Sequence, residues 1–258
     1  ALTGTPMENH LSELWAIFFF FNKGYLGSLK HFQDTFVATI ERNGQTEKIK
    51  DLQKFIQPFL LRRTKKDKDV ALNLPDKIEQ KEFVPLTSEQ ASLYEQLIKD
   101  TFEKIDKLQG FERKGLILQM IGKLKQLCNH PSLYLKEEHM HNVQVRSGKL
   151  IKLFDLVDAV IMQNESCLIF TQYIGMGEMI QSLLQEEYGF TVPFLNGSLG
   201  KKQRDSMIES FQQGEFPIFI LSLKAGGTGL NLTAANHVIH YDRWWNPAVE
   251  NQATDRAY

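Results

Sequence analysis

The sequence is poor in cysteine, carries little net charge and lacks a long hydrophobic run. Its two cysteines, Cys128 and Cys167, lie far apart in apolar surroundings. This argues against a disulfide framework or a zinc site and favours buried thiols in a reducing compartment. The formal net charge is −1, so a polyanion would have to bind at a local basic patch. The longest dense apolar run, at 14–21, is too short to cross a bilayer, and no signal peptide is visible. We therefore expect no membrane association.

Internal repeats and low-complexity segments are also lacking, and no set of metal ligands stands out. Three histidines, His130, His139 and His141, lie within a short stretch. Their spacing fits no common metal site well, so we predict none.

The most informative stretch is 216–258. An apolar, isoleucine-rich run at 218–223 is typical of a buried parallel strand and leads into the loop KAGGTG at 224–229. A second apolar run at 238–241 precedes DRWWNP, in which Asn246 is a good helix cap and Pro247 a good first helical residue. On the predicted helix, Gln252 and Arg256 are four residues apart and would share one face.

Each of these signals has a structural and a functional interpretation. The glycine loop is either a tight strand-to-helix connection or a cradle whose N–H groups hold phosphate. Arg256 could contact solvent or a carboxylate, since Asp255 is adjacent. Trp244 and Trp245 would most often be core residues, but two adjacent indoles before a helix cannot easily both point inward, so one could stack on a base.

The rest of the chain shows a helical part followed by an alternating part. Helical spacing covers 8–21, 28–40, 47–60 and 88–135, whereas 77–86 alternates like a strand without a clean apolar face. The basic run at 61–68 is either a solvated linker or a phosphate contact. From Ser147, strands and helices alternate and each strand ends in a polar or glycine-rich loop. This pattern predicts an α/β fold with a parallel sheet and helices on both faces.

The order of motifs resembles the Swi/Snf-like branch of superfamily-two helicase ATPases. The motifs are LTGTPMEN, LLRRTKKD, LKQLCNHP, SGKL, LIFTQY, LNGS, LSLKAGGTGLNLTAANHVIHYDRWWNP and ENQATDRAY, and they span essentially the whole chain. The resemblance implies RecA-like lobes that clamp ATP and track along duplex DNA. It implies the end of the first lobe with a helical insertion at 1–62, a basic linker and entry strand at 63–87, a second helical insertion at 88–146, and the second RecA-like lobe at 147–258.

The resemblance also assigns roles to residues. Arg256 and Gln252 would be catalytic, and Gly226, Gly227, Gly229 and Asp255 would bind ATP. The residues implied to contact nucleic acid are Thr171, Gln172, Asn196, Gly197, Ser198, Lys224, Thr228, Asn231 and Trp245. Those implied to couple ATP state to DNA contact are Thr3, Gly4 and Thr5.

The sequence departs from the family pattern at one decisive point. It contains no G-x-x-x-x-G-K-[ST] loop and no Asp-Glu pair to hold magnesium. We expect the parts that hold ATP and Mg²⁺ to lie upstream of Ala1, and the sixth motif to continue past Tyr258. The longer protein would then be a DNA-stimulated ATPase and translocase, and this chain alone would not hydrolyse ATP.

The expected partner is double-stranded DNA, together with a DNA-bound protein such as RNA polymerase or a nucleosome. We expect a monomer that is cytoplasmic and nucleoid-associated in a prokaryote, or nuclear in a eukaryote. Three alternatives remain open: an RNA helicase of the same superfamily, a non-catalytic DNA-binding or regulatory module, and a nucleotide- or metabolite-binding α/β enzyme. The WWNP block argues against the first, neutral net charge against the second, and the lack of G-x-G-x-x-G against the third.

Overall fold

The computed structural model describes residues 6–7, 10–61, 77–137, 142–226 and 230–257. The chain divides into two compact units. One comprises Ala1–Glu79 with Asn246–Gln252, and the other comprises Gln80–Trp245 with Ala253–Tyr258. Within the described residues, no helix is both long enough and apolar enough to cross a membrane.

The first unit is built from helices. They are α1 Leu11–Phe21, α2 Leu29–Phe32 with a π-helical continuation Gln33–Arg42, α3 Thr46–Ile56, and a 3₁₀ turn Gln57–Phe59. Leu14 and Phe18 of α1 are buried together with Phe32 and Leu52. The helices expected near 8–21, 28–40 and 47–60 are confirmed in outline. They exist because apolar residues recur at helical spacing and can be buried on one side.

The second unit begins with a helical part. It comprises α4 Ser88–Ile105, α5 Gly110–Asn129, α6 Pro131–Leu135 and a 3₁₀ turn Gln144–Arg146. The start of α4 is set by a capping box, in which the Thr87 side chain accepts from the Gln90 backbone and the Gln90 side chain accepts from Thr87 N. Pro131 is the first residue of α6, a position that proline tolerates well.

The remainder of the second unit is an α/β layer structure. Its strands are β1 Cys167–Thr171, β2 Phe194–Leu195, β3 Ile218–Ser222 and β4 His237–His240. They pair in the order β2-β3-β1-β4, and all three pairings are parallel. The accompanying helices are α7 Gly148–Met162, α8 Ile174–Tyr188, α9 Lys201–Gln212 and α10 Leu223–Gly226. The last helix, α11 Pro247–Thr254, is divided between the units, with its residues up to Gln252 in the first and its last two in the second.

Successive residues of β1 point to opposite faces of the sheet. Ile169 is buried with residues of α7 and α8, whereas Phe170 is buried in a second cluster with Phe211 of α9 and Ala253 of α11. Two apolar clusters on two faces confirm the predicted α/β fold with helices on both sides. Covering both faces explains why the strands are nearly continuous hydrophobic runs.

Two expectations about secondary structure are wrong. Residues 77–87 form no strand, and Ile78 and Phe83 are each 89% exposed. The alternation in this segment does not place the apolar residues on one face, so a strand here would have no apolar face to bury. The last helix ends at Thr254, so Gln252 lies in α11 but Arg256 lies in a turn after it. That turn is closed by a hydrogen bond from Arg256 N to Ala253 O and by one from Leu232 N to Arg256 O.

The motif SGKL at 147–150 has a structural explanation. Ser147 caps α7 by accepting from Leu150 N, and its hydroxyl donates to the Asn129 carbonyl at 2.6 Å. A Cβ at Gly148 would lie only 2.2 Å from the Pro85 carbonyl oxygen. Only glycine allows this close approach, so Gly148 serves the packing of α7 against the segment before α4.

Arg146 ties the helical part together beside this motif. Its guanidinium donates to Glu89 of α4 and to Glu137 after α6, with closest distances of 2.6 Å to each carboxylate. The guanidinium lowers the pKa of Glu137 to about 2. Bidentate pairs of this kind fix orientation as well as adding energy.

The close approach at Gly148 gives a direct stability prediction. We expect Gly148→Ala to lower the free energy of unfolding by about 1–3 kcal/mol, because backbone atoms must move to admit the methyl group. The matched control is Gly122→Ala in α5, where an added Cβ would meet nothing within 4 Å. That change should be neutral or stabilise by up to about 1 kcal/mol, since alanine favours helix. Urea unfolding, monitored by circular dichroism, compares the two variants. Equal changes in their free energies of unfolding would contradict the close packing at Gly148.

Candidate functional site

The four parallel strands bring several of the predicted site residues to one edge of the sheet. Gln172 follows β1, Asn196 follows β2, Lys224 follows β3, and the segment 241–245 follows β4. Because the strands are parallel, their carboxyl ends lie at the same edge, where open α/β sheets bind ligands. The second unit therefore brings together residues up to 73 positions apart in sequence, the separation of Gln172 and Trp245.

The centre of this edge is the carboxylate of Asp242, which is 2% exposed. Its Oδ2 accepts from Thr171 Oγ1 at 2.6 Å and from Asn129 Nδ2 at 3.0 Å. Its Oδ1 accepts from the Gln172 backbone N at 3.0 Å. A buried carboxylate is tolerated when its lone pairs are used in this way. Asp242 thereby joins the end of β1, the end of β4 and the end of α5.

Asn129 extends this network to α7. Its side-chain oxygen accepts from Lys149 Nζ at 2.9 Å, and its carbonyl accepts from the Tyr241 hydroxyl at 2.9 Å. Burial raises the pKa of Tyr241 and lowers the pKa of Lys149. Lys149 thus holds the side-chain amide of Asn129 and Tyr241 holds its main-chain carbonyl, so the end of α5 is tied to α7 and to the end of β4.

Thr171 is placed differently from the direct contact with a DNA backbone that the resemblance implies. It is fully buried, and its hydroxyl donates to Asp242. The hydroxyl also accepts from Tyr173 N at 3.3 Å. Thr171 therefore shapes the loop after β1 from inside, while Gln172 is partly exposed.

The two tryptophans after β4 point in different directions, as the sequence suggested. Trp244 packs against the apolar cluster that contains Phe170 and Phe211, whereas Trp245 is 66% exposed. Nζ of Lys125 lies 4.5 Å from the Trp245 ring centroid. An exposed indole beside a cation is a suitable surface for stacking or for packing against a sugar–phosphate chain.

The loop after β2 is a compact polar turn. Asn196 Oδ1 accepts from both the backbone N and the hydroxyl of Ser198, at 3.0 and 2.6 Å. Arg204 of α9 donates to the carbonyls of Leu199 and Gly197. Gly197 and Ser198 are exposed. The turn thus presents small polar groups that can approach a ligand closely.

The glycine loop is only partly described. Lys224 is exposed at the start of α10, where Ala225 N donates to the Ser222 hydroxyl, and Gly226 is the last residue of that helix. Asn231 is exposed beyond the loop. The predicted site residues Gly227, Thr228 and Gly229 lie outside the described residues, as do Thr3, Gly4, Thr5 and all of the basic run after Leu61.

The predicted catalytic residues lie near the end of the chain. Gln252 is partly buried in α11, and Asn246 begins this helix as predicted, with its side-chain oxygen accepting from Ala248 N at 2.9 Å. Asp255 is exposed and Arg256 is partly buried in the turn that follows. Among the described residues, no group of three or more histidine, cysteine, aspartate or glutamate side chains could hold a metal ion.

Four residues that organise this edge were not assigned a role from the sequence. They are Asp242, Asn129, Lys149 and Lys125. Each lies within a motif that carries the family resemblance, namely DRWWNP, CNHP, SGKL or LKQL. A polar residue inside an apolar stretch is the available signal, but the sequence does not show which of these groups meet.

Comparison with known proteins identifies the family. Residues 1–133 match the SNF2-related domain, and residues 148–258 match the helicase conserved C-terminal domain. The part of the chain that carries the sheet and the loops at its edge is thus a helicase C-terminal domain. The chain belongs to the SNF2-related family of superfamily-two helicase ATPases.

Similar proteins occur in bacteria and eukaryotes. Over the whole chain the sequence is 65% identical to a putative ATP-dependent helicase/translocase, YwqA, of Bacillus subtilis, and covers 28% of its length. It is 33% identical to the DNA repair and recombination protein RAD26 of Saccharomyces cerevisiae, again over the whole chain, and covers 25% of that protein. The chain thus spans about a quarter of the length of these relatives.

A solved structure matches over the same extent. The SWI2/SNF2 ATPase core of Sulfolobus solfataricus in complex with double-stranded DNA has a TM-score of 0.64 and 42% identity, with 100% of this chain and 54% of that chain covered. This likeness supports the RecA-like α/β assignment of the fold.

The network at Asp242 gives the second prediction. We expect Asp242→Ala to lower the free energy of unfolding by about 2–4 kcal/mol, because Asn129 Nδ2 and Gln172 N lose their buried acceptor. The control is Asp205→Ala on the exposed face of α9, which should change it by less than about 0.5 kcal/mol. Urea unfolding measures the free energy of unfolding of both variants. A small effect of Asp242→Ala would show that the network is not needed for stability.

Proposed function

We propose that this chain is the DNA-gripping second lobe, together with the end of the first lobe, of an ATP-driven motor that moves along double-stranded DNA. The observation that carries the proposal is the edge where Gln172, Trp245 and the Asn196 turn follow parallel strands of one sheet. Support also comes from the solved structure of a SWI2/SNF2 ATPase core in complex with double-stranded DNA, to which the chain is 42% identical.

The side chains at this edge suit contact with a nucleic-acid backbone rather than reading of bases. An exposed indole, a lysine ammonium, amides and small hydroxyl groups can hold phosphate and sugar, and such contacts carry no sequence information. A motor that must travel along any sequence needs contacts of this kind. In this proposal Lys224, Asn231, Gly197 and Ser198 contribute to the grip, with Thr228 beside them. Thr171 supports Gln172 from inside.

The domain organisation that we propose follows the family pattern. Residues 1–62 would complete the first lobe, 63–87 would link the lobes, 88–146 would be the helical insertion of the second lobe, and 147–258 would be its RecA-like core. Thr3, Gly4 and Thr5 would couple the ATP state to DNA contact.

ATP and Mg²⁺ would supply the energy through phosphoryl transfer. This chain would contribute Gly226, Gly227, Gly229 and Asp255 to nucleotide contact, while Gln252 and Arg256 would complete the reacting centre. A guanidinium from a second lobe stabilises the negative charge that develops on the transferred group, and it does so only when the lobes close. Hydrolysis would therefore depend on the lobe that also grips DNA.

The biological substrate is proposed only as a class. The motor would displace or remodel a protein bound on duplex DNA, such as RNA polymerase or a nucleosome, and would act as a monomer. Identity of 65% with a Bacillus subtilis protein favours a bacterial member that works at the nucleoid. The main rival is a superfamily-two RNA helicase, and substitution of RNA for DNA in the assay below separates the two.

The third prediction tests the proposed arginine. In the full-length protein, duplex DNA should stimulate ATP hydrolysis, and Arg256→Ala should lower the stimulated kcat by about 10³-fold or more while ATP still binds. Arg113→Ala, an arginine at an exposed position of α5, is the control and should leave kcat within about twofold.

Three results would contradict the proposal. They are ATP hydrolysis that does not respond to duplex DNA, stimulation of hydrolysis by RNA alone, and a stimulated kcat that is unchanged in Arg256→Ala. The chain of 258 residues, purified by itself, should show no Mg²⁺-dependent turnover, because it carries no phosphate-binding P-loop. Clear turnover by the isolated chain would overturn that part of the proposal.

A further inference from the structure

Lys125 on α5 joins the two loops that follow β1 and β4. Its Nζ donates to the carbonyl oxygen of Arg243 at 2.9 Å and to Gln172 Oε1 at 3.4 Å. Gln172 Nε2 also approaches the Arg243 carbonyl, at 3.4 Å. The same ammonium group lies 4.5 Å from the ring centroid of Trp245. One cation thus contacts the loop of Gln172 and the loop of Trp245 at once.

The position of this cation is itself fixed. Lys125 and Asn129 are one helical turn apart on α5 and therefore share a face. Asn129 is 1% exposed and is bonded to Asp242, Lys149 and Tyr241, so the end of the helix cannot shift without breaking buried hydrogen bonds. Lys125 extends from this anchored turn to side chains at the surface.

Trp245 needs such a partner to hold one orientation. Its side chain is 66% exposed, so core packing does not select its rotamer as packing selects that of Trp244. A cation over an indole face is attracted by the ring quadrupole and restricts the plane of the ring. A hydrogen bond to Gln172 Oε1 in the same way limits the rotation of that amide.

We propose that Lys125 is a positioning residue for DNA contact, which orients Trp245 and Gln172 so that the helical part of the second unit sets the geometry of the sheet edge. This inference rests on the proposed function, because it assumes that these two side chains meet DNA. The competing role for a lysine at this place is direct contact with a DNA phosphate, and the test separates the two.

The fourth prediction compares two charge-removing variants of the full-length protein on the same helix. Lys125→Met keeps the aliphatic stem and removes the ammonium group. Lys123→Met makes the same change at an exposed position of α5, for which no hydrogen bond or ion pair is recorded in the described part of the chain. Lys125→Arg serves as the rescue, because a guanidinium can also stack on an indole and donate to a carbonyl.

Two measurements are made on these proteins. The first is duplex affinity across a series of salt concentrations. Lys125→Met should weaken binding about three- to tenfold relative to Lys123→Met at every salt concentration. It should leave the slope of log Kd against log salt concentration unchanged, and Lys125→Arg should restore most of the affinity. A lysine that contacts phosphate would instead reduce that slope by about 1 when removed.

The second measurement is ¹⁹F NMR of protein labelled with 5-fluorotryptophan, in the absence of DNA. The Trp245 signal is assigned by its loss in Trp245→Phe. It should move in Lys125→Met and stay in place in Lys123→Met, because of these two lysines it is Lys125 that lies over the ring. This readout does not depend on DNA binding or on ATP hydrolysis.

The outcomes separate the inference from the proposed function. A reduced salt slope, or a Trp245 signal that stays in place, would overturn the positioning role even if duplex binding is confirmed. A wild-type protein that binds no duplex DNA would overturn the proposed function itself. A shifted Trp245 signal with weaker binding and an unchanged salt slope is the result that we expect.

Discussion

The buried carboxylate of Asp242 is the interaction on which the functional edge depends. It accepts hydrogen bonds from the end of β1, through Thr171 and Gln172, and from Asn129 at the end of α5. An unpaired buried charge would be costly, so the three donors and the carboxylate must be assembled together. This requirement fixes the positions of the loops that carry Gln172 and Trp245 relative to α5.

The edge therefore has a rigid base and an exposed surface. Thr171 and Asn129 are buried and both donate to the buried Asp242, whereas Trp245 is exposed and Gln172 is partly exposed. Sites held by buried hydrogen bonds keep their geometry under load, because the supporting side chains cannot change rotamer independently. In the proposed motor, such a base would carry force from Gln172 and Trp245 to the sheet.

Much of the fold could be predicted from the sequence, because its strands and helices are marked by hydrophobic period. The runs at 167–170 and 218–223 are buried parallel strands, and Asn246-Pro247 begins a helix as expected. The strand predicted at 77–86 from alternating residues is absent, because those residues do not form an apolar face. Periodicity also overextended the last helix, because the hydrogen bond from Leu232 N to Arg256 O depends on a residue distant in sequence.

The candidate site was less predictable than the fold. The edge that Gln172, Asn196 and Lys224 share follows from strand order, which alternating strands and helices suggest. The meeting of Asp242 with Asn129, 113 residues away, does not follow from any local pattern. The burial of Thr171 does not follow from a local pattern either. It makes Thr171 a supporting residue, whereas Gln172 beside it is partly exposed. Family motifs include these segments, but only the three-dimensional structure distinguishes the exposed side chains from the buried ones that hold them.

The most direct test of the motor is displacement of a third strand from triplex-bearing duplex DNA by the full-length protein. A protein that moves along duplex DNA removes the strand without needing to separate the duplex. We predict ATP-dependent displacement by the wild type and none by Arg256→Ala, with duplex binding retained in both. Displacement by the variant, or no displacement by a wild type that hydrolyses ATP on DNA, would contradict the account.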